Sequence, residues 1–79
     1  MAWRVLSHDE TVWKVAVAAE RAPQTASWRL VLSFRAVGRE QVSFWTPYPL
    51  LSTSKSTLFA RAEEISNEKL TAVLADHLR

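Results

Sequence analysis

The 79-residue sequence contains no cysteine, which excludes disulfides and cysteine-ligated metal sites. A chain of this length hides only about 60–65% of the surface that it exposes when unfolded, so its stability must come from a dense core of side chains. The composition can supply that core, because 48% of the residues are hydrophobic and four are Trp. We therefore expect one domain, residues 1–79, that is stabilised by packing alone.

Long apolar runs are also absent. No segment approaches the roughly 20 apolar residues that a membrane-spanning helix needs. The N-terminal segment lacks the apolar stretch of a secretory signal peptide. Together with the missing cysteine, these absences predict a cytoplasmic protein that does not enter a membrane. The net charge is only +2. Nucleic-acid-binding domains usually concentrate far more positive charge on one surface, so the charge does not favour nucleic-acid binding.

Glycine occurs once and proline three times, so each marks a local break in the pattern. Before Pro47 and Pro49, apolar and polar residues alternate, as they do in half-buried strands. After these prolines, apolar residues recur every three or four positions, as they do along one face of a helix. The change of period predicts a strand-rich first part followed by helices.

The alternation predicts four strands at about residues 2–6, 12–19, 28–36 and 40–46. Gly38 suits the left-handed position of a three-residue hairpin with a bulge, and that hairpin places Arg35 opposite Arg39. In the same register Leu30 lies opposite Phe44. Pro47, Tyr48 and Pro49 are expected to end the sheet.

Serine residues mark the starts of the predicted helices. Ser54 or Ser56 is the candidate cap of the first helix, and Ser66 is the candidate cap of a second. One bent helix remains the alternative to two. The resulting fold class is α+β: a four-stranded antiparallel meander sheet followed by two C-terminal helices packed on one face (ββββαα). Two helices span about 20 Å, which covers one face of a sheet about 19 Å wide and leaves the other uncovered.

The predicted uncovered face mixes cations, aliphatic residues and an indole. The opposite face is predicted to pack against the helices and to carry Trp3, Val5, Trp13, Leu30 and Leu32. The candidate binding residues on the uncovered face are Arg4, Lys14, Arg29, Val31, Arg35 and Trp45. Trp45 is expected to lie beside Arg29 in a cation–π contact.

The sequence contains only weak matches to catalytic and metal-binding motifs. Residues 52–55 match the S-x-x-K pattern of serine–lysine enzymes, but the companion motifs are missing and a helix start explains them. His8, Asp9 and Glu10 offer three metal ligands in a turn, but only one other histidine is present. We therefore expect a protein that is not an enzyme and that has no catalytic residue, cofactor or metal site.

Three interpretations of the uncovered face remain: an ordinary solvated surface, a protein interface and a single-stranded nucleic-acid platform. Arginine and tryptophan are frequent interface anchors, and small residues such as Ala16 and Ala18 permit close approach. The leading hypothesis is a small non-enzymatic binding module that docks a protein partner or a second copy of itself, as a homodimer. The alternative is a nucleic-acid-binding domain in which Trp45 stacks on a base and the cations meet phosphates.

Overall fold

Four strands followed by two helices form the fold in the computed structural model, which describes residues 3–23 and 25–79. The elements are β1 (Arg4–His8), β2 (Thr11–Arg21), β3 (Trp28–Ala36), β4 (Arg39–Ser52), α1 (Lys55–Ala62) and α2 (Asn67–Leu78). The predicted α+β fold is confirmed, and the C-terminal part forms two helices. The expected start of the first strand at residue 2 lies outside the described residues.

The strands form an antiparallel sheet in the order β1-β2-β3-β4. A tight turn at Asp9 and Glu10 joins β1 to β2, with His8 opposite Thr11. Both turn residues have positive φ, 50° and 63°, as the two-residue type I′ hairpin requires. This turn sets the register of β1 on β2.

The hairpin between β3 and β4 differs from the expected one. Ala36 lies opposite Arg39, and only Val37 and Gly38 (φ 83°) lie between them. An irregularity in β4 follows, so Arg35 lies opposite Ser43, and the predicted pairing with Arg39 is wrong. The shift is an even number of residues, so alternate β4 side chains keep their expected faces.

Strand β4 continues through both prolines, so the expectation that they end the sheet is wrong. Pro47 lies opposite Val31, and the strand runs on to Ser52 after a second irregularity. The physical reason is that β4 is an edge strand with one neighbour. A proline whose nitrogen points outward loses no ladder hydrogen bond there. Prolines on an edge strand also disfavour the addition of a further strand, because they have no backbone N–H to donate.

The core lies between one sheet face and the helices. As predicted, Trp13, Leu30 and Leu32 point into it and are buried. The side chains that are fully shielded from solvent in the core include Val15, Leu30, Leu32, Phe34, Leu58, Leu70 and Leu74. Burial of each such side chain contributes about 1.5–3 kcal/mol relative to its exposed state. α1 packs on β2, β3 and β4, whereas α2 contacts β1.

Serine caps begin both helices, as the sequence predicts. The Ser54 hydroxyl accepts the Thr57 N–H at 3.4 Å, and the Ser66 hydroxyl accepts the Lys69 N–H at 3.1 Å. Such caps satisfy donors that have no partner inside the helix. Residues 63–66 between the helices form an elbow, which lets each helix lie on a different part of the sheet.

Strand β1 presents the opposite faces to those expected. Leu6 is buried opposite Trp13, and Arg4 lies opposite Val15, so both point toward the helices. Val5, opposite Lys14, is exposed on the other side. The pattern of β1 is ambiguous because Val5 and Leu6 are both apolar. The turn that pairs the strand with β2 decides its orientation.

The aromatic side chains are spread over the core face. Trp13 lies opposite Ala36, at the far end of β3 from Trp28, so these indoles do not form one cluster. The Phe44 ring stacks on Phe34 with 4.9 Å between ring centroids and on His77 with 3.5 Å. The stack ties the C-terminal turn of α2 to β4, so that α2 runs from β1 to the opposite edge of the sheet.

Candidate functional site

The sheet face directed away from α1 and α2 is the candidate site, and we call it the open face. Cross-strand pairing assigns side chains to this face, because residues opposite each other in register point the same way. Its members are Val5, Ser7, Val12, Lys14, Ala16, Ala18, Glu20, Arg29, Val31, Ser33, Arg35, Ser43, Trp45, Pro47 and Leu51. None of the helices and strands in the described ranges covers this face.

Four large apolar side chains of the open face are exposed to water. The exposed fractions are 57% for Val5, 41% for Val12, 67% for Trp45 and 52% for Leu51. Val5 and Val12 lie on β1 and β2, whereas Trp45 and Leu51 lie on the edge strand β4. Burial of the exposed part of the Trp45 indole would contribute about 3 kcal/mol before the costs of association.

Small side chains occupy the middle of the open face. Ala16 lies opposite Ser33, and Ser33 lies opposite Trp45, so these three form one row across the sheet. Ala18 occupies the next row on β2. Because small side chains lie at the centre and larger ones lie toward the edges, the surface is shallow. The backbone of a partner can therefore approach it closely.

Two cations lie directly opposite each other on this face. Lys14 on β2 pairs in register with Arg35 on β3, and both side chains are exposed. Among the described side chains, neither takes part in a salt bridge. Like charges at directly opposite positions of an antiparallel pair destabilise the sheet. This pair therefore favours an anion nearby.

The third cation of the open face, Arg29, is already paired. Its Nε donates to Glu20 Oε2 at 2.9 Å, and its Nη2 contacts the same oxygen. Arg29 lies opposite Leu51, whereas Trp45 lies opposite Ser33, so the expected Arg29–Trp45 contact is wrong. The four-residue register shift of β4 separates the two side chains. The observed cation–π contacts join Arg4 to Trp3 and place both Arg21 and Lys55 over Trp28.

Val31 belongs to the open face but is not accessible there. It lies opposite Ala18 on one side and Pro47 on the other, and only 7% of it is exposed. Because Pro47 remains in the sheet, it covers a position that a shorter strand would have left bare. Val31 thus supports the surface from below and offers a partner little contact area.

Arg4 is the one candidate residue that points away from the open face, so its predicted place there is wrong. Its guanidinium lies at the helical elbow, where Nη2 donates to the Glu63 carbonyl at 2.8 Å and Nη1 donates to the Asn67 Oδ1 at 3.0 Å. Nη1 also donates to the Ile65 carbonyl. A cation at the C-terminal end of α1 interacts favourably with the helix dipole. The role of Arg4 is therefore structural.

Sequence reasoning missed five members of the open face: Val5, Ser7, Glu20, Pro47 and Leu51. Val5 was assigned to the wrong side of β1. The predicted first and second strands stopped short of Ser7 and Glu20, and the predicted fourth strand stopped short of Pro47 and Leu51. Glu20 shares its alternation with Lys14, so a longer second strand would have found it. No sequence signal identifies Leu51, because its face depends on the irregularity after Tyr48.

The side of the sheet that the helices cover has fewer features that suggest binding or catalysis than the open face has. Two shallow clefts of about 280 Å³ lie there, one beside His77 and one between Tyr48 and Lys69. The S-x-x-K segment is a helix start: Ser54 caps α1, and Lys55 Nζ lies 4.3 Å from the Trp28 ring centroid. His8 Nε2 lies 3.4 Å from Asp9 Oδ2. In the described part of the chain, no three His, Asp or Glu side chains group as metal ligands.

Comparisons with protein-family models, with curated proteins and with solved structures found no match. No helix in the described ranges has the length and apolar character required to cross a bilayer. The open face is therefore interpreted from its own geometry and charge.

Proposed function

We propose that this protein is a small non-enzymatic interaction module that docks its open face onto a protein partner or a second copy of itself. The observation that carries the proposal is the set of exposed apolar side chains, above all Trp45, around a centre of small residues. Several large apolar side chains exposed on one face are typical of interaction sites, and Trp45 is the most exposed of those on the open face. Tryptophan and arginine are also enriched among residues that dominate binding energies.

The size of the open face is compatible with such a role. Four strands about 4.8 Å apart, with a mean length of about 30 Å, present a platform of roughly 570 Å². Stable protein interfaces bury about 800 Å² per partner, and side-chain relief adds to the planar area. The platform therefore suffices for a modest interface without help from the helices.

Docking through the face is favoured over strand addition at the β4 edge of the sheet. Pro47 and Pro49 lie on the edge strand β4 and have no backbone N–H to donate, which limits strand addition there. The exposed apolar area lies on the surface of the sheet, where strand addition would leave it uncovered.

The positions of the cations in the structure give the nucleic-acid alternative less support than the sequence does. Arg4 lies at the helical elbow, and Arg29 is paired with Glu20. Among the described open-face side chains, Lys14 and Arg35 are the cations that remain outside a salt bridge. Proteins that track a phosphate backbone use several more cations, and sheet-type RNA binders stack two or three bases on aromatic side chains.

The proposal is tested by mapping backbone amide shifts of isotope-labelled protein titrated with fractionated cell extract, together with sedimentation of the protein alone. We expect changes confined to the open face, or dimerisation through it. The double substitution Trp45→Ser and Leu51→Ser should abolish either effect. The matched control is Leu78→Ser, because Leu78 is 47% exposed at the end of α2.

The proposal is overturned if the protein is a monomer up to about 1 mM and no extract fraction shifts an open-face resonance. A dissociation constant above about 1 mM corresponds to a binding free energy of less than about 4 kcal/mol. Equal loss of binding in the Leu78→Ser control would also count against it.

A further inference from the structure

Resting on the proposed function, we infer that the open face recognises an acidic protein segment. The segment lies extended on the sheet, places carboxylates against Lys14 and Arg35, and packs an apolar side chain on Trp45. The charge of this face, the register of its strands and the exposure of the indole support such a partner.

The charge of the open face is one-sided. Its described side chains include three cations, Lys14, Arg29 and Arg35, and one carboxylate, Glu20. Glu20 is engaged by Arg29, so the remaining excess is the Lys14–Arg35 pair. The resulting excess of two positive charges equals the net charge of the whole chain. Complementary charge on a partner relieves the repulsion within that pair and selects for acidic surfaces.

The spacing of these groups matches an extended peptide. Arg35 lies opposite Ser43, so Trp45, two residues further along β4, is its diagonal neighbour. Diagonal neighbours on one sheet face are about 7–8 Å apart. Side chains two residues apart on an extended segment are separated by about 6.6 Å and share one face. A carboxylate and an apolar side chain in that relation can meet Arg35 and Trp45 together.

A second copy of the chain fits this charge less well. A symmetric pairing of two open faces brings the same excess of two cations from each side into a single interface. Like-charge juxtaposition across an interface is strongly unfavourable. A phosphate backbone satisfies the charge, but the described side chains of the open face offer it only two cations outside salt bridges and one exposed aromatic ring. An acidic protein segment uses the cations and the indole at once.

The test uses a synthetic peptide, acetyl-Glu-Asp-Phe-Asp-Glu-amide, and an analogue in which Gln and Asn replace the acids. Both are titrated into labelled full-length protein at low salt, alongside a single-stranded oligothymidylate. We expect the acidic peptide alone to shift open-face resonances, with an affinity that falls as salt is added. Lys14→Glu and Arg35→Glu should each weaken binding about ten-fold, and Trp45→Ser about five-fold.

Lys69→Glu is the matched control, because it makes the same charge change at an exposed position on α2 and should alter binding less than about two-fold. Circular dichroism confirms that each variant is folded. If the neutral analogue binds as tightly as the acidic peptide, the open face still docks a peptide, but the preference for acidic segments is overturned. Tighter binding of the oligonucleotide, or a salt-resistant dimer through this face, also overturns the inference. If no probe binds and the protein stays monomeric, the inference fails, whereas the proposed function fails only if the extract fractions also leave the open-face resonances unchanged.

Discussion

Replacement of Arg4 by Met is expected to destabilise the fold by about 2–3 kcal/mol. Met keeps most of the aliphatic length but removes the guanidinium that holds the elbow between α1 and α2. The Glu63 and Ile65 carbonyls and the Asn67 side chain would each lose a charged donor. The predicted outcome separates the observed structure from a β1 that points Arg4 toward solvent, where the same change would be nearly neutral.

The magnitude follows from the exposure of the three hydrogen bonds. A hydrogen bond to a charged group contributes about 1.5–3 kcal/mol where water is excluded, and less where water competes. The bond to Ile65 is partly buried, whereas the bonds to Glu63 and Asn67 are exposed and count for less. For a domain of this size the loss corresponds to a decrease in Tm of about 8–20 °C.

Urea denaturation followed by tryptophan fluorescence and by far-UV circular dichroism measures this change. Arg61→Met is the control, because within the described part of the chain the Arg61 side chain donates one exposed hydrogen bond, of 3.4 Å, to the Leu51 carbonyl. We expect that control to cost less than about 0.5 kcal/mol. If Arg4→Met costs no more than Arg61→Met, the elbow does not depend on the guanidinium and the orientation of β1 argued above is refuted.

Four further predictions concern the open face, a helix cap and two turns. Val31→Asp should cost more than about 3 kcal/mol in urea denaturation because it buries a carboxylate, whereas Val12→Asp, at an exposed position, should stay within about 0.5 kcal/mol. Ser66→Ala should remove about 1 kcal/mol of stability, and an unchanged midpoint would contradict its capping role. Glu10→Gly should raise the free energy of unfolding by about 0.5–1 kcal/mol, since it relieves a positive φ. Gly38→Ala should lower it by about 1 kcal/mol through backbone strain alone, because no atom lies within 4 Å of the added carbon.

The elements with unambiguous patterns were predictable from sequence. Strand β3 has its predicted bounds, 28–36, because its apolar side chains alternate cleanly and Gly38 follows at once. The start of α2 was predictable because Ser66 precedes a helical apolar period, and the start of α1 was narrowed to Ser54 or Ser56, of which Ser54 is the cap. In these segments the local preference and the tertiary environment agree, so one residue pattern suffices.

The extent of β4 could not be read from the sequence. Pro47 and Pro49 predict a break in any strand that has two neighbours, and only the position of β4 at the sheet edge removes that conflict. The orientation of β1 was ambiguous for a related reason. Its short segment contains apolar residues of both alternations, so the pairing with Trp13 decides which side is buried.

The candidate site was predictable in part. Lys14, Arg35 and Trp45 keep their expected face because the even shift in β4 preserves alternation. The pairing of Arg29 with Glu20 and the burial of Val31 depend on which residues lie opposite each other across strands. Such neighbours are distant in sequence, and their identity changes with a shift of register.

By itself, the sequence determined the order of strands and helices, the helix caps and the side of the central sheet that is buried. These properties follow from the period of apolar residues and from the local chemistry of serine and glycine, which act within a few residues. Tertiary structure decided the partner of each side chain: Arg4 at the elbow, Glu20 on Arg29 and Pro47 over Val31. Those contacts depend on turns, irregularities and edge position, which fix geometry across the sheet and leave little trace in the pattern along the chain.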